Sequence, residues 1–512
     1  MDFARVAVRV LRMNYRPILL AAAALAGTGC LVGPNYVKPN APAPPTYKEE
    51  LPPSFKEASG WKTGEPKDDL HKGKWWEIFG DQQLNQIEDQ VDVSNQTLAA
   101  AEAQFRGARA AIRVSRSQLY PTLSGGASLA GTGTSGNVGA FANSKGAQQY
   151  ATLELPTLSA SWEPDLWGQI RRTIEANVDT AQASAADLEN ARLSIQSQLA
   201  LDYFQLHGLD SQRRLLLDTA DAYEKALQLT VNRYNQGVAS QVDVAQAQTQ
   251  LAQTRAQATD TLVARQQFEH AIAILLGRPP SEFSIPEALI TSDPPPIPGV
   301  VPSELLERRP DIAGNERRIA AANAQIGVAI SAFYPTLSLG VSGGLESSSL
   351  LSLFTWPSRF WSLGPTLSQT FFDAGRRRGI TEQARASYDA AVANYRESVL
   401  TAFQQVEDQL AALRILSQEA TEQAGAVTYA ERSLQLANAQ YQGGITTYLQ
   451  VITAQAIALS NELTAVQLKT RRMTASVSLV QALGGGWNSS ELPAPQEVTP
   501  RKPPKVVTTG LQ

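Results

Sequence analysis

Gly340-Val341-Ser342-Gly343-Gly344 has the G-x-S-x-G spacing of a nucleophile elbow, where a sharp strand-to-helix turn presents a serine to a histidine base. That chemistry needs a histidine later in the chain, and the three histidines, His71, His207 and His270, all precede Ser342. The serine also lies in an alternating, strand-like stretch with no helical pattern after it. Gly131-Thr132-Gly133-Thr134-Ser135-Gly136 spells G-x-G-x-x-G, but a dinucleotide site requires a helix opening on those glycines, and none is patterned there. Cys30 is the one cysteine, which excludes an intrachain disulfide and, with so few histidines, leaves too few ligands for a zinc site. Arg376-Arg377-Arg378 reads as a helix-start or interfacial feature rather than a ligand site. The residue types argue against an enzyme and against a resident metal or cofactor. A net charge of −4 gives no reason to propose nucleic acid as a partner.

Cys30 does suit one modification. Arg5, Arg9, Arg12 and Arg16 precede the apolar run Ile18–Ala26, which is too short to span a bilayer. Gly27, Thr28 and Gly29 then lead to Cys30. Residues 1–29 look like a bacterial lipoprotein signal, after which Cys30 becomes an acylated first residue. Gly27 departs from the leucine usual at that position, and a plain signal peptide with an incidental cysteine is the alternative. Cleavage would remove the four arginines and Asp2, taking the formal charge from −4 to −7.

The rest of the chain is built from long helical runs. No proline occurs from Asp165 to Arg278 or from Thr366 to Leu492, in a chain with 29 prolines. Proline breaks helices by removing a donor and clashing with the preceding turn. Alternating steps of four and three from Ile174 to Tyr234 meet apolar residues at 14 of 18 positions, and the same track shifted by 207 does so again, ending at Tyr441. A seam at 3.5-residue spacing is a coiled-coil signal. A helix from Gly168 to Tyr234 would be roughly 100 Å long. The turn Arg233–Gly237 answers Gln440–Gly444, Leu276-Gly277 answers Leu483-Gly484, and Tyr120–Ser124 (YPTLS) answers Tyr334–Ser338. The chain therefore contains one unit twice.

Around the repeat, residues 30–75 read as an extended, unpacked strap, 76–280 as the first copy, 281–302 as a Pro-rich linker, 303–487 as the second copy and 488–512 as a disordered tail. Shorter helices are expected near 83–118 and 303–331. Leu337–Ser342, Trp361–Ser368 and, more weakly, the stretch with Leu153 and Leu155 alternate with period two. Gly131–Gly146 and Gly343–Ser349 are expected to separate the strands of each pair. Such strands fit a membrane β-barrel. Each half offers one hairpin, so the chain has four strands, too few to close a barrel. An open edge in lipid strands backbone polar groups, so membrane insertion would require oligomerisation.

The combination resembles the TolC-like outer membrane efflux family, in its lipoprotein branch paired with resistance-nodulation-division pumps. The residues that carry the resemblance are Val32–Tyr36 after the cysteine, Trp75-Trp76 with Phe79, Glu307–Ile312, both YPTLS copies, Phe372–Arg377, Ala482–Trp487 and the duplicated helical frame, over about residues 30–490. The resemblance implies a mixed fold, a membrane β-barrel continued by a long α-helical coiled-coil barrel. It implies a homotrimer whose four strands per protomer make a twelve-stranded barrel. It implies a lipid-anchored duct in the outer membrane of a Gram-negative bacterium, reaching into the periplasm. There it would meet a periplasmic adaptor protein and an inner-membrane resistance-nodulation-division transporter, and conduct small molecules passively outward. No cofactor is implied beyond the lipid on Cys30.

The long helices turn back at Tyr234–Gly237 and Tyr441–Gly444, where glycine takes the left-handed conformation that ends a helix. The resemblance makes these turns the periplasmic tip and makes the helix starts after them a constriction. Leu449 then matches a position able to form an apolar ring, unless it is a plain seam residue. Relatives usually carry acidic residues at one or both positions matching Gln450 and Thr453. This chain has neither, and Asp243, in Val242-Asp243-Val244, is the carboxylate left at the first turn. Two other functions fit the pattern: a duct for type I protein secretion, and a structural coiled-coil lipoprotein without a pore.

Overall fold

The computed structural model describes residues 31–41, 43–44, 46–49, 74–134, 148–297 and 302–499. In chain order these form α1 (Gln82–Ser94), α2 (Gln96–Ser117), β1 (Thr122–Thr134), β2 (Gln148–Trp162), α3 (Gln169–Asn235), α4 (Gln241–Leu275), α5 (Pro302–Arg308), α6 (Pro310–Ser331), β3 (Thr336–Ser347), β4 (Arg359–Ser368), α7 (Arg376–Gln442) and α8 (Tyr448–Ala482). The long helices α3 and α7 each have 67 residues, and α4 and α8 each have 35. Both pairs begin and end 207 residues apart. Among the described residues, no helix is long and apolar enough to cross a membrane.

The helices form four columns. α2 and α4 share one, α3 is the next, α6 and α8 share the third, and α7 is the fourth. The shared columns are joined end to end. Asn95, between α1 and α2, caps α2 by accepting the Leu98 N–H at 3.0 Å and donates to the Leu275 carbonyl at the end of α4 at 2.7 Å. In the second copy, Arg309 precedes α6 and donates to the Ala482 carbonyl at the end of α8 at 3.0 Å. Gly277 and Gly484 follow α4 and α8 at positive φ, and a Cβ on either would collide with the Ser94 or the Arg308 carbonyl. Both copies thus use one glycine to butt two helices together.

These joints break the two shorter helices expected near 83–118 and 303–331. Asn95 leaves the helical region at φ −68°, ψ 123°. Pro310 has no N–H to continue a helix and pushes Arg309 to an extended conformation.

A belt of core residues wraps the upper middle of α3 and α7. Trp75, Trp76 and Phe79, in a short 3-10 turn, pack with Leu84, Val91, Leu199, Tyr203, Phe204, Tyr395 and Val399. Each large apolar side chain buried this way contributes about 1.5–3 kcal/mol. The strap is extended but, contrary to expectation, packed. The fully buried Arg172 donates to the Val32 and Gly33 carbonyls and to Asn35 Oδ1. Farther along, Glu407 accepts the Lys48 and Glu49 N–H groups. The linker is also held: Arg265 donates to Asp210 Oδ1 at 2.7 Å and to the Ile285 carbonyl at 2.7 Å, and Glu269 accepts the Ile285 N–H at 2.6 Å.

The tail departs from the expected disorder over residues 488–499. A 3-10 turn at Ser489–Glu491 and a helical turn at Pro495–Val498 are ordered, and Val498 is buried with Ile112 and Ala181. The Pro- and Lys-containing composition of the tail hid this docking, which includes the buried Val498, two Arg109 bonds to the Val498 and Glu497 carbonyls and a Gln182 bond to the Pro493 carbonyl at 2.8 Å.

Candidate functional site

The four strands form one antiparallel sheet in the order β1-β2-β3-β4. Gly131–Thr134 belongs to β1 and Gly343–Ser347 to β3, so the Gly/Ser-rich stretches are partly strand and not wholly connection. Strand neighbours, rather than intrinsic preference, hold those glycines extended. Ser124 pairs with Ser159, Ser159 with Ser342, and Ser342 with Ser362, which lays a row of four hydroxyls across one face. Ser342 of the G-x-S-x-G string is thus a strand serine among serines. The alternate positions give the other face: Leu123, Ala160, Val341 and Leu363 make one row, and Leu337 pairs with Leu367. Leu123, Leu158, Val341, Trp361, Leu363 and Leu367 are all exposed in the protomer. An apolar outer face opposed to a face of small and polar residues is what a strand between lipid and water requires. Exposed Tyr120, Phe371 and Phe372 lie at the helical end of the sheet, and Trp356 and Trp361 at the far end, as aromatic girdles do.

The sequence reading missed two residues of this sheet. Glu154 and Glu346 are direct cross-strand partners on the serine face. Only the register brings them together.

At the opposite end of the helices the two hairpin turns meet. Gly237 and Gly444 have φ of 77° and 72°. Ser240 caps α4, whereas Thr447 before α8 makes no side-chain cap bond. Tyr441, Tyr448, Val451 and Ala247 are buried together, with the two tyrosine rings 5.2 Å apart. Burial pushes the Tyr448 hydroxyl up to about 12, against a bond to Thr230 that lowers it. Arg233 links the hairpins: its guanidinium lies 4.6 Å from the Tyr441 ring centre and donates to the Gln442 carbonyl at 3.2 Å. Tyr234 is partly exposed.

Leu449 is 58% exposed and Val242 63% exposed. The seam positions at this end are Tyr448 and Val451, so Leu449 is not a seam residue of the protomer. Gln450 and Thr453 are also exposed, and the Thr453 hydroxyl turns back to the Leu449 carbonyl at 2.9 Å. Asp243 is engaged in the cap with Ser240. Among the other residues considered for chemistry, His207 Nδ1 lies against Asp210 and the Ala288 carbonyl, and Arg377 pairs with Asp373 at the start of α7. Cys30, His71, Ser135 and Gly136 lie outside the described residues.

The duplicated hairpins and the two-faced sheet correspond to a known sequence pattern. The family described as outer membrane efflux protein matches residues 89–278 and again 301–485. The chain belongs to the outer membrane efflux protein family. The two matches are the two copies of the repeat. Outer membrane protein OprJ of Pseudomonas aeruginosa is 31% identical over 465 residues, covering 90% of this chain and 93% of that protein. The probable efflux pump outer membrane protein TtgC of Pseudomonas putida is 28% identical over 486 residues, covering 94% and 98%. Among solved structures, the outer-membrane channel OprN superposes with a TM-score of 0.78 at 28% identity, covering 90% of this chain and all of that one. As an outer membrane efflux protein, the chain is a transport component of the outer membrane of a Gram-negative bacterium, in a family of ducts and not of enzymes.

Proposed function

We propose that this efflux protein works as a homotrimeric exit duct of a tripartite system. A resistance-nodulation-division transporter in the inner membrane would supply the energy, and a periplasmic adaptor would join it to the duct. Small molecules, drugs among them, pass through without chemical change. The name of TtgC, a probable efflux pump outer membrane protein, supports the efflux role, as does the family description.

The observation that carries the reading is a match of order. Strands β1, β2, β3 and β4 are continuous in the chain with α2, α3, α6 and α7, and both sheet and helical wall keep that order. Both therefore end on the same two open edges. One protomer leaves β1 and β4 unpaired, which lipid does not tolerate. Joining β4 and α7 of one copy to β1 and the α2/α4 column of the next closes both layers at once, and three copies give twelve strands.

The strap supports acylation of Cys30. The Val32 N–H donates to the Trp167 carbonyl at 3.2 Å, and Trp167 stacks on Tyr334 beside the start of β3. Val32, two residues after Cys30 in the sequence, is thus held where the sheet meets the helices. The hairpin tips, with Leu449, Val242 and Asp243 exposed or half-exposed around them, form the periplasmic constriction in this reading.

Full-length protein in lipid nanodiscs should have the mass of three chains and conduct ions in a planar bilayer. A stable single chain, or three chains without conductance, overturns the proposal. Palmitate labelling of wild type but not of Cys30→Ser is expected, and equal labelling removes the lipid anchor from it.

A further inference from the structure

We propose that the turn between β3 and β4 is a docking site for a phosphate-bearing, acylated lipid of the outer leaflet, with Arg359 as the phosphate contact. The helices leave the sheet at one end, so this turn lies at the other, the extracellular rim. The inference rests on the membrane reading of the sheet.

Register decides which way Arg359 faces. It pairs with Leu345, and its parity in β4 is that of Trp361, Leu363 and Leu367, so it belongs to the apolar face. Glu154, Glu346 and Arg359 are the charged residues among the described residues of the four strands. Both glutamates are on the serine face, which leaves Arg359 as the charge on the lipid side. No carboxylate among the described residues pairs with it. A strand rises about 3.4 Å per residue. Eight residues up from Leu367, Arg359 therefore stands at the rim of an apolar band roughly 25 Å tall. A lone guanidinium is expensive within hydrocarbon but tolerated at the interface, where an anion neutralises it.

The side chain is held ready for such an anion. Its guanidinium is stacked 3.1 Å from the Trp356 ring centre. Stacking occupies a face of the guanidinium and leaves its in-plane N–H fork open, the edge that binds phosphate oxygens in pairs. The turn beneath is fixed by its own hydroxyls. Ser347 Oγ meets Ser352 Oγ at 2.6 Å, and Thr355 and Ser358 both donate to the Ser352 carbonyl. Leu353 is buried under it. Around Arg359 the turn exposes Leu350, Leu351, Phe354 and Trp356, and Trp361 continues them into the apolar band. A cation set among acyl-chain contacts, continuous with the lipid-facing surface, matches a lipid whose headgroup carries phosphate.

The test is native mass spectrometry of full-length protein released from nanodiscs that contain either bisphosphorylated lipid A or its dephosphorylated form. Wild type should retain the phosphorylated lipid at least about ten-fold more, Arg359→Lys should keep part of that preference, and Arg359→Gln should lose it. Equal retention of both lipids by wild type, or an unchanged preference in Arg359→Gln, overturns the proposal. Conductance of the same preparations separates the two readings: a conducting channel without lipid preference defeats the site and leaves the duct standing.

Discussion

Asp243 and Ser240 hold each other. The Ser240 N–H donates to the Asp243 carboxylate at 2.9 Å, and the Asp243 N–H donates to the Ser240 hydroxyl at 3.2 Å. This capping box satisfies two orphan donors at the start of α4. A carboxylate at the tip thus has a structural role before any electrostatic one. Losing a serine cap costs about 1 kcal/mol, or roughly a five-fold change in a local equilibrium. Ser240→Ala and Asp243→Asn should both speed amide exchange at residues 241–244 by that order. Only Asp243→Asn should also reduce cation preference in a planar bilayer. Equal selectivity in the two variants would assign Asp243 to the cap alone.

Leu449 can be cut back without unfolding the tip, because its neighbours Tyr448 and Val451 carry the packing. An exposed substitution of this kind stays within about 0.5 kcal/mol. Leu449→Ala should leave thermal stability unchanged and raise closed-state conductance several-fold by wetting an apolar constriction. Unchanged conductance rejects the ring.

Glu154 and Glu346 face each other across β2 and β3. Like charges directly opposite destabilise a sheet by about 0.2–1 kcal/mol. Glu154→Gln and Glu346→Gln should each stabilise the sheet slightly and weaken cation preference, read from the reversal potential in a salt gradient. The difference from wild type should shrink between 0.1 M and 1 M salt, as the screening length falls from about 10 Å to about 3 Å. A difference that persists at 1 M would point to a steric cause.

Asp179 titrates where the strap crosses α3 and α6. Burial raises its carboxyl to about 7. Arg317 opposes this at 3.7 Å, while Glu175 and Glu316 reinforce it. Arg317 compensates poorly because Glu316 takes two of its bonds. A folded-state value above the unfolded one, about 3.9, means stability that is full below pH 4 and lost as pH rises through 7. The melting temperature should therefore fall from pH 5 to pH 8, and in Asp179→Asn that component of the fall should vanish. The same slope in the variant would clear Asp179.

Glu88 is fully buried on α1, and neither carboxylate oxygen has a hydrogen-bond partner. Burial, with Asp92 and Asp89 adding to it, pushes its carboxyl well above the usual range. An unpaired buried polar group costs about 1–3 kcal/mol. Glu88→Met should raise the free energy of unfolding by that order, with a larger gain at pH 8 than at pH 5, because a raised carboxyl costs the wild type more stability as pH rises. A destabilised variant at both pH values would mean that Glu88 has a partner in the assembled protein.

Much of this molecule was legible in its sequence because the relevant signals are local. Missing prolines and a 3.5-residue seam placed α3 to within a residue, and the same track 207 residues on falls within α7, since helix bonds join residues four apart. The 207-residue offset revealed the duplication, and glycines at Gly237 and Gly444 marked the turns. What only the tertiary structure decided depends on residues far apart in the chain. Register across β2 and β3 brought Glu154 beside Glu346, register across β3 and β4 set Arg359 opposite Leu345 on the apolar face, and a one-residue slip in either pair would have undone its result. The joints at Asn95 and Arg309 exist because another helix ends there, which no window around either residue contains. The docking of the strap and of Val498 came from partners more than 100 residues away. Short-range periodicity wrote the elements; long-range pairing chose which side chains meet.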